Sequence, residues 1–174
     1  ANGVRKFQIL WMELLPKVPS YLRDRRDFLD KIRSNDKFPD GTLLASVDVV
    51  NLYPSIPHRD GLRALSEFLE RHGMTHTQIE DIVALARFVL TRNYFEFGSD
   101  LHLQISGTAI GTRMAPTYAI IFMHILETQI LMSVPLKPSC WLRFIDDIFI
   151  TWNHGLPAYS EFIERINSAC PSIK

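Results

Sequence analysis

The sequence predicts an α+β fold, a small antiparallel sheet packed on helices. Three observations lead there. Short runs of β-branched and aromatic residues, such as "TLLASVDV" and "IFITW", have the composition of strands. Between them lie stretches with apolar residues at helical spacing. The two kinds are mixed without the regular alternation of a parallel α/β sheet. The 174 residues, 47% hydrophobic and 22% charged, suffice for one good core.

The elements follow in order. Residues 1–20 are apolar and irregular, punctuated by Pro16 and Pro19. "YLRDRRDFLDKIR", residues 21–33, sets Leu22, Phe28, Leu29 and Ile32 near helical spacing. Thr42–Val49 reads as a strand that the prolines of "NLYPSIPHRDG" end. Asp60 is expected to cap a helix over about 61–71, which Gly73 stops. Thr77 to Glu80 has the pattern of a capping box. Behind it Ile79, Ile82, Val83, Ala86, Val89 and Leu90 form an apolar stripe. "YFEF" and "LHLQI", split by Gly98-Ser99-Asp100, read as a hairpin. "SGTAIGTRMAP" is a glycine-containing loop, and Pro116 opens an apolar helix to about Leu131. "CWLRFI" and "IFITW" form a second hairpin with Asp146-Asp147 at its turn, and 157–168 is a last amphipathic helix.

Composition narrows function. Nineteen basic and nineteen acidic side chains cancel, so no global field draws the chain to nucleic acid or anionic lipid. Cys140 and Cys170 match no zinc spacing and are read as free thiols in a reducing compartment. No apolar run is long enough to span a bilayer. The six histidines stand singly, and His72 and His76 straddle the helix-ending Gly73. There is no nucleophile elbow and no Walker loop.

What stands out is Asp146-Asp147 inside the most apolar segment, "WLRFIDDIFITW". Alone, the pair is as well explained by turn chemistry. A third carboxylate, Asp48, ends another apolar strand. Bringing strand 42–48 beside hairpin 140–152 would collect three mutually repelling carboxylates at one sheet edge. A hard divalent cation removes the conflict, and oxygen-only donors favour Mg²⁺ over zinc, with Mn²⁺ able to substitute. Two such ions about 4 Å apart suit in-line phosphoryl displacement.

Neighbouring residues fit the same chemistry, each with a plainer alternative. Tyr53, five residues past Asp48, can close over a sugar or be a strand-end tyrosine. Gly107 and Gly111 permit close backbone approach to a ligand, and the helix at Pro116 offers its N-terminus to phosphate. A plain loop accounts for them too. Arg113 is the nearest cation to such a phosphate, or a solvated loop arginine. Arg143 lies three residues before Asp146 and is expected to be a structural ion-pair partner.

Three of these segments together resemble the reverse transcriptases. "FIDD", Phe144–Asp147, is similar to motif C. "DVVNLY", Asp48–Tyr53, is similar to motif A. "QISGTAIGTRMAP", Gln104–Pro116, is similar to motif B. The wording "DVVNLYPSIP", "GTAIGTRMAPTYA" and "RFIDDIFITW" resembles the telomerase-related Penelope-like retroelements, as does "VPSYLRDRRDFLDKI". The resemblance covers about residues 14–174. Motif B has Ala109-Ile110-Gly111 for the usual Pro-Gln-Gly, so a side-chain amide contact is absent. Motif C has Phe144 for tyrosine, which removes only a hydroxyl.

The resemblance implies a polymerase palm over 41–174, carrying motifs A, B, C and the start of D, with 1–40 leading into it. It implies RNA-directed DNA synthesis, in which a primer 3′-hydroxyl attacks the nucleotide α-phosphorus with two Mg²⁺. Asp48, Asp146 and Asp147 would be catalytic and hold the metal. Tyr53 would sit at the sugar, and Gly107, Gly111, Arg113 and Pro116 would line the nucleotide. The expected partners are an RNA template, a DNA primer and dNTPs. Fingers, thumb and endonuclease are expected outside this stretch, so the chain alone is expected to be a poor polymerase and to self-associate. An intracellular location, nuclear in a eukaryote, goes with this reading. The alternative of another class is a non-catalytic remnant serving as an interaction module.

Overall fold

The computed structural model describes residues 13–34 and 38–174; residues 1–12 of the expected N-terminal segment lie outside them. A 3₁₀ turn at Leu15–Lys17 precedes α1 (Arg25–Ser34), β1 (Leu43–Asp48) and the one-turn α2 (Leu52–Ser55). Then come α3 (His58–Arg71), α4 (His76–Thr91), β2 (Tyr94–Phe97) and β3 (Asp100–Leu103). The chain continues with α5 (Ala115–Ser133), β4 (Cys140–Phe144), β5 (Asp147–Trp152) and α6 (Leu156–Ala169). Helices and small antiparallel sheets make the fold α+β, as expected. Among the described residues no helix is long and apolar enough to cross a membrane.

The chain divides into two compact units. One consists mainly of Asn51–Ile125, the other of Pro16–Val50 with Leu126–Lys174. In the first, α3 buries Leu62, Ala64, Leu65, Phe68 and Leu69. The Phe68 ring meets His124 of α5 edge-on at 5.8 Å. Gly61 lets α5 come close: a Cβ there would stand 2.0 Å from the Tyr118 hydroxyl. The capping box of α4 lies two residues earlier than the sequence suggested. Thr75 is the N-cap, and its side chain and that of Gln78 serve each other's backbone N–H. Thr77 is already inside the helix, so its hydroxyl caps nothing. Asp60 is not a cap either. Pro57 holds the N-cap position in extended conformation, and Asp60 lies in the first turn, paired with Arg63 at 3.7 Å. With Pro57 as its N-cap, α3 begins at His58, three residues sooner than expected. The expected β2–β3 hairpin forms with a tighter turn, Gly98-Ser99, because Asp100 pairs with Phe97 and β3 ends at Leu103; all eight strand residues are exposed.

The second unit is built on a three-stranded antiparallel sheet of order β1-β5-β4. Alternation puts Trp141, Arg143, Ile148, Ile150 and Trp152 on one face. Phe162 of α6 packs there, 4.8 Å from Trp152 and 6.1 Å from Trp141 between ring centroids. The other face carries Leu142 and Phe149. Phe28 of α1 meets Phe149 edge-on at 5.2 Å, with Ile32, Leu22 and Cys140 in the same cluster. Residues 20–22 shield the β4 edge: Arg143 N–H donates to Ser20 O, and Leu22 N–H to Arg143 O. α1 begins at Arg25 rather than at Tyr21, because Tyr21 bridges to this edge and Asp24 accepts from the Asp27 N–H at the helix start. Cys140 and Cys170 are both free, and burial raises the pKa of the Cys140 thiol.

Candidate functional site

β1 and β5 run antiparallel in a register that pairs Val47 with Ile148 and Asp48 with Asp147. Register partners in an antiparallel sheet share a face. The two carboxylates therefore project side by side at the end of the sheet, on the face of Phe144, and both residues are exposed. The backbone of Asp146 is tied to the end of β1, since Val49 N–H donates to Asp146 O at 3.2 Å. The sequence placed both Asp146 and Asp147 in the turn. The structure puts only Asp146 there: Phe144 pairs with Asp147, so the loop is Ile145-Asp146. Asp147 opens β5 because that register continues the apolar alternation of Ile148, Ile150 and Trp152.

Like charges directly opposite one another destabilise a sheet. Among the described residues no ion pair reaches any of the three aspartates. The described residues also contain no group of three His, Cys, Asp or Glu placed to hold a metal ion, so the expected gathering of three carboxylates is reduced to the pair Asp48 and Asp147 with Asp146 in the adjoining turn. The donors present are oxygen only, with Asp48 and Asp147 exposed and Asp146 half-buried. That chemistry fits Mg²⁺, which binds one or two carboxylates and completes its shell with water or phosphate oxygens.

The turn itself is strained. Ile145 has φ 56, and no other residue of the loop has a positive φ. This is the pattern of a type II′ turn, whose first central position favours glycine. A β-branched residue there costs roughly 1–2 kcal/mol. Arg143 braces it. Its side chain is fully buried, and its Nη1 donates to Ile145 O at 3.0 Å. Its other edge meets Glu127 of α5, with Nε at 2.5 Å from Oε1 and Nη2 at 3.3 Å from Oε2. Glu127 also accepts from Ser20 Oγ at 2.8 Å and from Trp141 Nε1 at 2.9 Å. Arg143 is thus the structural ion-pair partner that its strand position indicated. Its mate Glu127 was missed, although a lone acid in the apolar run "IIFMHILETQILM" was a visible signal.

In the other unit the loop before α5 is tied to the segment around Tyr53. Thr108 N–H donates to Tyr53 O at 2.8 Å, and the His58 ring Nε2 donates to Gly107 O at 2.8 Å. Gly107 has φ +75, and a Cβ there would stand 2.6 Å from the Pro54 backbone. Its glycine is required by the chain's own packing. Gly111, at φ +105, has open space where a Cβ would be, so its backbone is the one a ligand can approach. Arg113 and Pro116 are exposed, and α5 begins one residue before Pro116.

The architecture is an α+β fold of the kind seen in telomerase structures. The chain is similar to apo telomerase from Candida tropicalis, with a TM-score of 0.71 and 11% identity, over 96% of this chain and 33% of that one. It is similar to the same telomerase truncated from its C-terminal domain, with a TM-score of 0.64 and 14% identity, over 97% and 36%. Telomerase from Candida albicans in complex with a TWJ fragment of telomeric RNA gives a TM-score of 0.66 at 13% identity, over 90% and 31%. At such identities the likeness is one of fold, and the chain spans about a third of the length of these proteins. No protein-family model matches the chain, and no curated protein does.

Proposed function

We propose that this chain is the palm of a reverse transcriptase of the Penelope-like kind and supplies the metal-binding carboxylates for RNA-templated DNA synthesis. The observation that carries the reading is the register pairing of Asp48 with Asp147, beside Asp146, with no cation among the described residues to neutralise them. A chain accepts such repulsion where the carboxylates serve a function other than stability. The order of the three motif-like segments and the telomerase-like fold support it. Divalent cations bound there would lower the pKa of a primer 3′-hydroxyl and stabilise charge on the triphosphate. Asp48 and Asp147 contribute the ligands, and Asp146 contributes from the turn. Tyr53 is read as the residue at the sugar, where an aromatic ring leaves no room for a 2′-hydroxyl.

The test is primer extension on an RNA template by the protein that contains this segment, in Mg²⁺. Asp48→Asn is expected to lower extension about a hundred- to a thousandfold, on the scale of losing a main electrostatic contributor. Tyr53→Ala is expected to retain extension and to admit ribonucleotides. Extension that survives Asp48→Asn would refute the role of the carboxylates. An unchanged ratio of ribonucleotide to deoxyribonucleotide incorporation would return Tyr53 to a structural part.

A further inference from the structure

We infer that Glu127 and Arg143 are positioning residues that hold the strained Ile145-Asp146 turn, and through it the spacing of Asp146 and Asp147 against Asp48. The inference rests on the metal-binding reading above and deepens it. Four observations converge. The turn has a β-branched residue at φ 56, a conformation that persists only where its surroundings impose it. The Ile145 carbonyl, one peptide before Asp146, accepts from Arg143 Nη1 at 3.0 Å. The same guanidinium makes a two-pronged pair with Glu127, so its plane is fixed from the opposite edge. Glu127 is in turn held by Ser20 and Trp141, and the Arg143 backbone is clamped by Ser20 and Leu22.

Core filling alone does not call for this arrangement. Apolar residues fill such a space at equal or lower cost than a buried ion pair. What an apolar side chain cannot do is grip a carbonyl at the apex of a turn. Arginine can do so while keeping its salt bridge, because its donors form a rigid planar fork. Lysine offers a compact point charge instead. Arg143→Lys therefore keeps the buried charge pair and gives up the bridge to Ile145. The pair touches the backbone of the turn rather than the carboxylates and acts on them through it, one step further out than the hydrogen-bonded partners of ligating side chains. Loss of such partners typically lowers metal affinity about 10–100-fold.

The experiment uses the 174-residue chain as wild type and as Arg143→Lys, with circular dichroism to confirm that each is folded. Two quantities are read. One is Mn²⁺ affinity by electron paramagnetic resonance. The other is amide exchange of Val49 and Asp147 in metal-free protein. The inference expects Arg143→Lys to weaken Mn²⁺ binding about tenfold or more and to speed exchange at those two amides, while amides in α3 and α4 keep their protection. Unchanged exchange at Val49 and Asp147 in a folded Arg143→Lys protein would overturn it, leaving the pair a core feature only. If the wild-type chain binds no Mn²⁺, the metal-binding reading fails, and the exchange comparison still decides whether the pair holds the turn. Should Arg143→Lys not fold, the double variant Glu127→Met with Arg143→Met replaces the pair by apolar side chains and supplies the same two readings.

Discussion

Asp48 and Asp147 stand opposite each other with no ion-pair partner among the described residues, and that has a thermodynamic consequence. Like charges at directly paired strand positions oppose folding by roughly 0.2–1 kcal/mol. Removing one should therefore stabilise the chain. Asp147→Asn is expected to raise the urea midpoint in metal-free buffer, by an amount that shrinks in high salt as screening takes over. A fall in the midpoint would mean that the Asp147 carboxylate has a stabilising role, and the argument from uncompensated repulsion would be lost. The third aspartate was the informative one in the sequence. Asp-Asp at a hairpin has an ordinary explanation, whereas a carboxylate ending a separate apolar strand has none until the two strands pair. The strain at Ile145 was not legible, since nothing in "FIDD" tells which of its residues takes a positive φ.

At the scale of elements, Gly61 shows how a helix contact depends on one missing methyl. In an exposed helix interior Gly→Ala gains up to about 1 kcal/mol in propensity. At Gly61 the new Cβ would meet the Tyr118 hydroxyl at 2.0 Å and Ile56 Cγ2 at 2.9 Å. Tyr118 is 1% exposed and has nowhere to go. Overpacking of this kind costs about 1–3 kcal/mol, so it wins, and Gly61→Ala is expected to lose about 1–2 kcal/mol in a denaturant titration. Adding Tyr118→Phe should recover part of the loss, which identifies the clash. A stabilised Gly61→Ala protein would contradict the packing of α3 on α5. Periodicity located these helices well, because the stripes of 62–69 and 79–90 are long. Their first turns were harder. Pro57 was read as a terminator and is also a helix N-cap, and Thr75-Gln78 and Thr77-Glu80 both fit the capping-box pattern, so the pattern alone did not show that Thr75 is the cap. The pairing of Arg143 with Glu127 joins a strand to a helix, and periodicity within either element carries no trace of the other.

On the scale of the whole chain, positive and negative charges balance at nineteen each, so no net field favours folding or nucleic acid at neutral pH. The titrating groups that burial perturbs are mainly phenols. Burial raises the pKa of Tyr118 strongly, and those of Tyr21 and Tyr159 as well, above the ordinary 10.0. A raised folded-state pKa favours the neutral phenol. Its contribution is complete below the unfolded value and is lost as pH climbs past it. Stability should accordingly be insensitive to these groups up to about pH 10 and fall above it. The last phenolate absorbance should appear together with loss of the far-ultraviolet circular dichroism signal. Full ionisation of all the tyrosines while the chain remains folded would contradict the burial of Tyr118. The α+β class, the two hairpins and the antiparallel sheet were legible from short apolar runs and their turns. The order β1-β5-β4 was legible only in part, because it depends on a strand some hundred residues upstream finding its partner.

The central claim is that the sheet edge at Asp48 and Asp147 is a divalent-cation site. Crystals of the chain soaked in Mn²⁺, with diffraction recorded at a wavelength where manganese scatters anomalously, address it directly. The account predicts an anomalous peak within about 2–2.5 Å of carboxylate oxygens of Asp48 and of Asp146 or Asp147, at oxygen–cation coordination distance. That peak should be absent in Asp48→Asn crystals. A structure with Mn²⁺ bound at other carboxylates and none at this sheet edge would contradict it.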